Sequence, residues 1–224
     1  MTQYIDLTHT LHDAIPAWDL SCGFRCKTVH DYEDSKLETK FKVQKLEAPV
    51  GIGTHIDGPA HCFLGAMTVD RLPIEECSKP CIVIDVSKIS NENFLLSTKD
   101  IEDFESAYGK IAKDAFVIIN TGWSKYWSNP SQYHNNLVFP SVSAEAAECL
   151  LEKGISGLGI DTLSPDAGDS DFEVHRIILG ANKIIIENIA NAHLMPEVSA
   201  ELLILPLKIK EGTESPIRLV GIIN

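Results

Sequence analysis

Apolar residues along this chain gather into short, nearly continuous runs rather than long amphipathic stripes. Runs rich in β-branched residues, bounded by polar or turn residues, lie at positions 81–86, 115–119, 155–161 and 183–187, and two more follow at 202–209 and 217–223. Successive strand residues point to opposite faces, so an unbroken apolar run of this length suits a central strand covered on both sides; periodicity alone fits a buried helix as well.

Helix signals sit between the runs. Ser143 precedes the segment Ala144 to Lys153, which carries early acids and stops at Gly154, a residue suited to a left-handed C-cap. Ser170 and Glu173 have the spacing of a capping box ahead of Val174 to Leu179, which predicts a helix ending at Gly180 with His175 in its second turn. A third helix is predicted over Ile101 to Tyr108, after Ser97-Thr98-Lys99-Asp100. Strands interleaved with a few helices predict an α/β fold with a sizeable sheet. No repeat, Gly/Ser linker or low-complexity tract divides the chain, so residues 1–224 are expected to form one domain.

Composition narrows the function. With 44% hydrophobic and 23% charged residues among 224, the chain has the balance of an ordinary globular protein. Its net charge of −13, with no Lys/Arg cluster, disfavours nucleic acid and anionic membrane surfaces as partners. The first residues carry neither a basic region nor an apolar stretch of signal-peptide length, and no later segment approaches the roughly 18 apolar residues of a membrane span. The expected location is therefore cytoplasmic. The six cysteines form no C-x2-C pair and are read as mostly buried small hydrophobes in a reducing compartment, Cys62 standing out only for its neighbour His61.

The densest chemistry lies in Gly51-Ile52-Gly53-Thr54-His55-Ile56-Asp57-Gly58-Pro59-Ala60-His61. In an extended segment His55 and Asp57 share a face, and the Gly58-Pro59 break lets the chain turn His61 back toward them. Imidazole and carboxylate together suit zinc, manganese or iron. The alternative, a pair of surface histidines beside a turn, fits either histidine alone better than it fits the three residues together. His9, His12, His134 and His193 are expected to be structural or solvated, and Trp123 and Trp127 to be core or dimer contacts. No G-x-S-x-G, Walker loop, G-x-G-x-x-G or H-E-x-x-H occurs.

These residues resemble the H-x-G-T-H-x-D-x-P-x-H motif of the kynurenine formamidase-like cyclase family, which includes bacterial-type arylformamidases and isatin hydrolases. Every fixed position matches except the first, where Gly51 stands for histidine. Further segments agree in order: Tyr4 to Thr8, Pro16-Ala17-Trp18, Asn120 to Trp123, Gly159 to Asp166, His175 to Leu179, Glu187-Asn188 and Ser215 to Arg218. The resemblance implies a swivelling β/β/α fold, a mixed sheet core flanked by helices, and a homodimer or homotetramer acting on a small molecule. It also implies that His55 and Asp57 belong to one metal site, that Asp57 bridges to a second completed by His175 and Glu187, that His61 is the proton donor and acceptor, and that Trp18 lines the substrate pocket.

Glycine has no side chain to offer a metal, so the first of these sites is expected to be weakened. The expectation is one divalent ion, zinc or manganese, held by Asp57, His175 and Glu187, with His55 either a fourth ligand or a partner behind them. His30, Cys62 or a second chain's side chain are alternatives for the missing ligand. Asp161, Ser164 and Asp166 are read either as acceptors orienting His175 or as turn and helix caps. A bound ion lowers the pKa of its water from 15.7 to about 7, and metal-bound hydroxide would attack an amide or formamide carbonyl while His61 hands a proton to the leaving nitrogen. A non-catalytic binder of metal or small ligand, and a lyase or cyclase using the same site, remain alternative readings.

Overall fold

The computed structural model of the chain describes residues 1–19 and 21–224. Four strands precede the first apolar run: β1 (Gln3–Asp6), the hairpin β2 (Arg25–His30) and β3 (Val43–Glu47), and β4 (His55–Asp57). Then come β5 (Ser78–Asp85), the short β6 (Leu95–Leu96), α1 (Thr98–Tyr108) and β7 (Phe116–Asn120). The middle of the chain forms α2 (Pro130–His134), β8 (Ser141–Val142), α3 (Ala144–Glu152) and β9 (Gly157–Ile160). It finishes with α4 (Glu173–Gly180), β10 (Ile184–Glu187), β11 (Ala200–Pro206) and β12 (Glu214–Ile223). Each of the six apolar runs lies on a strand.

The strands join in the order β1-β12-β11-β5-β7-β9-β10-β4, and β4 pairs again with β12, which closes the sheet into a barrel. One edge of β12 carries β11. Its other edge is shared end to end, residues 214–216 pairing with β4 and residues 220–223 with β1. The steps β5–β7–β9–β10 are parallel and the rest antiparallel, so the core is the mixed sheet flanked by helices that the family resemblance implies.

Strand periodicity explains why the central runs are apolar throughout. On β7, Phe116 and Ile118 point into the barrel, whereas Val117 and Ile119 point outward against α1, α3 and α4. On β5, Cys81 and Val83 face in and Ile82 and Ile84 face out; on β10, Ile184 and Ile186 face in and Ile185 out. Both faces are buried, so neither can be polar. The two late runs depart from this expectation. On β11, Leu202 and Ile204 are buried while Glu201 and Leu205 are exposed, and β12 alternates similarly, so these strands have only one covered face.

Helix α3 starts and stops where the sequence predicts: the Ser143 hydroxyl accepts from the Ala146 amide at 3.1 Å, and Gly154 has φ +79°. Helix α1 begins at Thr98, with Ser97 and Asp100 forming a reciprocal capping box. The capping box expected at Ser170 does not form. Its hydroxyl closes a local turn by accepting from the Phe172 amide, Phe172 is left-handed at φ 55°, and α4 is capped by Asp166 from eight residues upstream, which places His175 in the first turn. The cysteine expectation also needs correction. Only Cys77 and Cys81 are buried; Cys26, on the open β2–β3 hairpin, and Cys62, after an exposed turn, are solvent-facing, and all six are unpaired. No helix among the described residues is long and apolar enough to cross a membrane.

Two positions test this packing. A methyl on Gly157 would lie 2.6 Å from the Phe116 ring and 2.8 Å from the Ile184 carbonyl oxygen. Gly157→Ala is therefore expected to cost about 1–3 kcal/mol in urea unfolding, and an unchanged midpoint would contradict the assigned packing of β9. The second position is Glu105, at the end of α1. Lys110, Lys153 and the Ile111 amide all donate to its carboxylate, the Lys110 contact being the foremost cause of a pKa lowered from 4.5 to about 2. A depressed carboxylate stabilises the fold above its unfolded pKa and loses that contribution as pH falls through the folded one. Glu105→Gln should lower Tm at neutral pH, and the gap should close as pH drops from about 4.5 to about 2; a gap independent of pH would refute the role.

Candidate metal centre

The site is built on β4, which lies between β10 and β12. Opposite His55 on β10 is Glu187, and opposite Asp57 on β12 is Glu214. Residues facing each other across antiparallel strands share a sheet face, so His55, Asp57, Glu187 and Glu214 project together. The residue between the first two, Ile56, points the other way into the barrel core. A fifth side chain, His175, reaches this face from α4.

The carboxylates of Asp57 and Glu187 each turn one oxygen to either histidine. His55 Nε2 lies 3.5 Å from Asp57 Oδ1 and 3.4 Å from Glu187 Oε2. His175 Nε2 lies 3.7 Å from Asp57 Oδ2 and 3.5 Å from Glu187 Oε1. One donor atom each from His55, Asp57 and Glu187 lies within 4.8 Å of the others, close enough to share an ion. All four residues are buried.

Both rings are oriented from behind. His55 Nδ1 is 2.9 Å from the Gly53 carbonyl oxygen, and His175 Nδ1 is 2.7 Å from Asp166 Oδ2. A carbonyl or carboxylate only accepts, so each Nδ1 carries the proton and each Nε2 is turned to the carboxylates, the usual support of a metal-binding imidazole. Asp166 does both jobs that the sequence left open: it caps α4 through the Val174 and His175 amides, at 2.8 and 3.0 Å, and it orients the His175 ring. Asp161 is a turn cap only, accepting from the Thr121 and Ser124 amides and the Thr121 hydroxyl, and the Ser164 hydroxyl accepts from the Asp166 amide.

The electrostatics call for a cation. Asp57 is 1% exposed, yet neither of its oxygens has a hydrogen-bond partner among the described residues. Burial opposes its charge, but His55 and the contacts from His175 outweigh burial and hold its pKa below the usual value. Burial, reinforced by the Asp57 charge, drives Glu187 well above the carboxylate range. For His175 burial disfavours the charged ring, while Asp166, Asp57 and Glu187 prevail and raise it to about 11. Two carboxylates are thus buried side by side, and the environment favours the charge of Asp57 while opposing that of Glu187. A divalent ion would supply positive charge held at the donor atoms themselves, so the residues present fit a metal.

The other expected residues line a cavity of about 250 Å³ above this floor. Trp18 borders it, with Phe172 5.6 Å away between ring centroids. His61, in a turn after β4, is half-exposed, and its ring lies 5.9 Å from that of His175. Neither His30 nor Cys62 is among the lining residues, whereas Glu214 is. Sequence reading missed Glu214 although it directly precedes Ser215-Pro216-Ile217-Arg218; only its register opposite Asp57 distinguishes it from other surface acids. His9 is structural, stacked on Trp127 at 3.9 Å, and Trp123 packs with Tyr133, Phe139 and Leu163.

A family model described as cyclase matches residues 5–167. An isatin hydrolase of Roseibium aggregatum is 31% identical over 186 residues, covering 76% of this chain and 71% of that protein. A kynurenine formamidase of Bacillus cereus is 27% identical over 220 residues, covering 98% of this chain and 97% of that one. Among solved structures, isatin hydrolase A from Labrenzia aggregata, bound to benzyl benzoate, superposes with a TM-score of 0.91 at 31% identity, over 99% of this chain and 94% of that chain.

Asp166→Asn tests the support behind His175. An amide offers one acceptor where the carboxylate uses two, so α4 capping and ring orientation compete. The variant is expected to bind Mn2+ about 10- to 100-fold more weakly in calorimetry and to lose about 1 kcal/mol of stability. Unchanged affinity would show that His175 needs no such partner.

Proposed function

The chain belongs to the cyclase family, and on that footing we propose that it is a metal-dependent hydrolase of a small cyclic amide or an aryl formamide. The observation that carries this reading is Asp57, buried between two oriented histidines with no hydrogen-bond partner among the described residues, on the floor of a cavity with an aromatic wall. His55, Asp57, His175 and Glu187 are the residues that would hold the metal, zinc or manganese. Bound there, it supplies an activated water and polarises the scissile carbonyl.

The remaining steps fall to the protein. Trp18 and Phe172 offer flat apolar faces against which a planar ring can lie, with its carbonyl toward the floor of the cavity. Burial of the four floor residues keeps bulk solvent from competing for them. His61 is the proton carrier. Its Nδ1 faces Glu214 Oε2 at 3.3 Å, which leaves Nε2 free to deliver a proton to the departing nitrogen. Hydrogen bonding to Glu214, helped by the Asp57 charge against partial burial, raises the His61 pKa above its ordinary value, which favours the protonated ring that a proton donor needs.

The proposal is tested by loading the protein with Mn2+ or Zn2+ and assaying isatin, N-formylkynurenine and simple cyclic imides, with product masses recorded. Turnover should add the mass of one water. His61→Ala should lower kcat about 100- to 10,000-fold while leaving Mn2+ affinity in place. Metal-loaded protein inert across the whole panel would count against hydrolysis, and a product of unchanged mass would indicate a lyase or cyclase reaction instead.

A further inference from the structure

The motif histidine missing at position 51 leaves a place that another segment fills. An ideal Cβ built on Gly51 would lie 1.9 Å from Glu214 Oε1 and 3.5 Å from His55 Nε2. The glycine therefore does more than omit a ligand: it makes room for a carboxylate arriving from β12. We propose that Glu214 is a metal ligand, its Oε1 standing in for the absent imidazole, so that His55, Asp57 and Glu214 hold one divalent ion while Asp57, His175 and Glu187 hold a second.

Three observations support this assignment. The first is register: Glu214 sits opposite Asp57 on the β12 side of β4, just as Glu187 sits opposite His55 on the β10 side, so the two glutamates flank the strand symmetrically. The second is proximity, since Asp57, His61 and Glu214 each offer a donor atom within 4.8 Å of the others, in addition to the set formed by His55, Asp57 and Glu187. The third is the state of Asp57, whose two buried oxygens face different histidines and lack hydrogen-bond partners, as a carboxylate bridging two ions requires. The two Glu214 oxygens also have separate tasks: Oε1 lies beside the vacated position, while Oε2 faces His61 Nδ1 at 3.3 Å. His61 is thereby held at the site without serving as a ligand. Replacing imidazole by carboxylate adds a negative charge and an oxygen donor, which shifts this half of the site toward harder ions such as manganese.

The inference rests on reading the site as a metal centre, and its test does not depend on turnover. Mn2+ bound per chain would be counted by elemental analysis and calorimetry, and electron paramagnetic resonance would detect spin coupling between neighbouring ions. The parent protein should bind two coupled ions, and Glu214→Gln should bind one, without the coupling signal. Gly51→His alone should clash with Glu214 and bind at most one, whereas Gly51→His combined with Glu214→Ala should recover the second ion, a rescue that misfolding cannot mimic. A parent that binds one ion, with Glu214→Gln indistinguishable from it, overturns the proposal and leaves a single-ion hydrolase standing. Two ions lost and regained as described, but no hydrolysis of any amide, would uphold the proposal and defeat the functional reading.

Discussion

A carboxylate withdrawn from water with both oxygens unpartnered is the constraint around which this protein is arranged. Leaving such a charge uncompensated costs several kcal/mol, and Asp57, at 1% exposure with no hydrogen-bond partner among the described residues, depends on charge nearby. Its compensation comes from side chains on separate elements: His55 two residues away on the same strand, and His175 from α4. Each is fixed in turn by an acceptor behind it, the Gly53 carbonyl and the Asp166 carboxylate. The flanking strands and α4 are thus tied energetically to one buried anion. Glu187 belongs to the same balance. Burial and the neighbouring Asp57 charge raise its pKa well above the carboxylate range, a second buried negative charge being unfavourable without added positive charge.

The sheet makes that arrangement affordable. Four strands joined by three parallel steps, with both faces buried, provide a rigid apolar block, and its continuity lets β10 present Glu187 at a fixed height against β4. Gly157 and Gly159 lie on the inner face of β9 because the Phe116 ring occupies the space that side chains there would need. Polar chemistry is thereby displaced from the barrel interior to the outer face of the β10–β4–β12 patch.

Much of this was legible in the sequence where the signal is local. The unbroken apolar runs marked the strands, Ser143 and Gly154 marked both ends of α3, and the spacing of His55 and Asp57 placed them on one strand face. His175 and Glu187 entered through the family resemblance, and both lie at the predicted centre. What was not legible depends on distant partners. Asp166 outcompetes Ser170 for the start of α4 because its carboxylate reaches two amides and the His175 ring at once, which no short motif encodes. The β2–β3 hairpin has exposed residues on both faces, so it carries no alternation to read. Glu214 escaped notice because its importance lies only in standing opposite Asp57.

The triple pairing of β12 has a consequence for how the molecule is assembled. This strand seals the barrel against β4, secures β11, and anchors β1, and its first residue is Glu214. Its contacts with β1 and β4 join segments far apart along the chain, the kind that form late in folding because loop closure must be met before they contribute. Until β12 docks, one whole edge of β4 is unpaired and the acidic wall on that side is missing. Barrel closure and completion of the centre are thus a single event. A chain stalled short of that step would lack Glu214 at the centre, even with His55, Asp57 and Glu187 already brought together through the β4–β10 pairing.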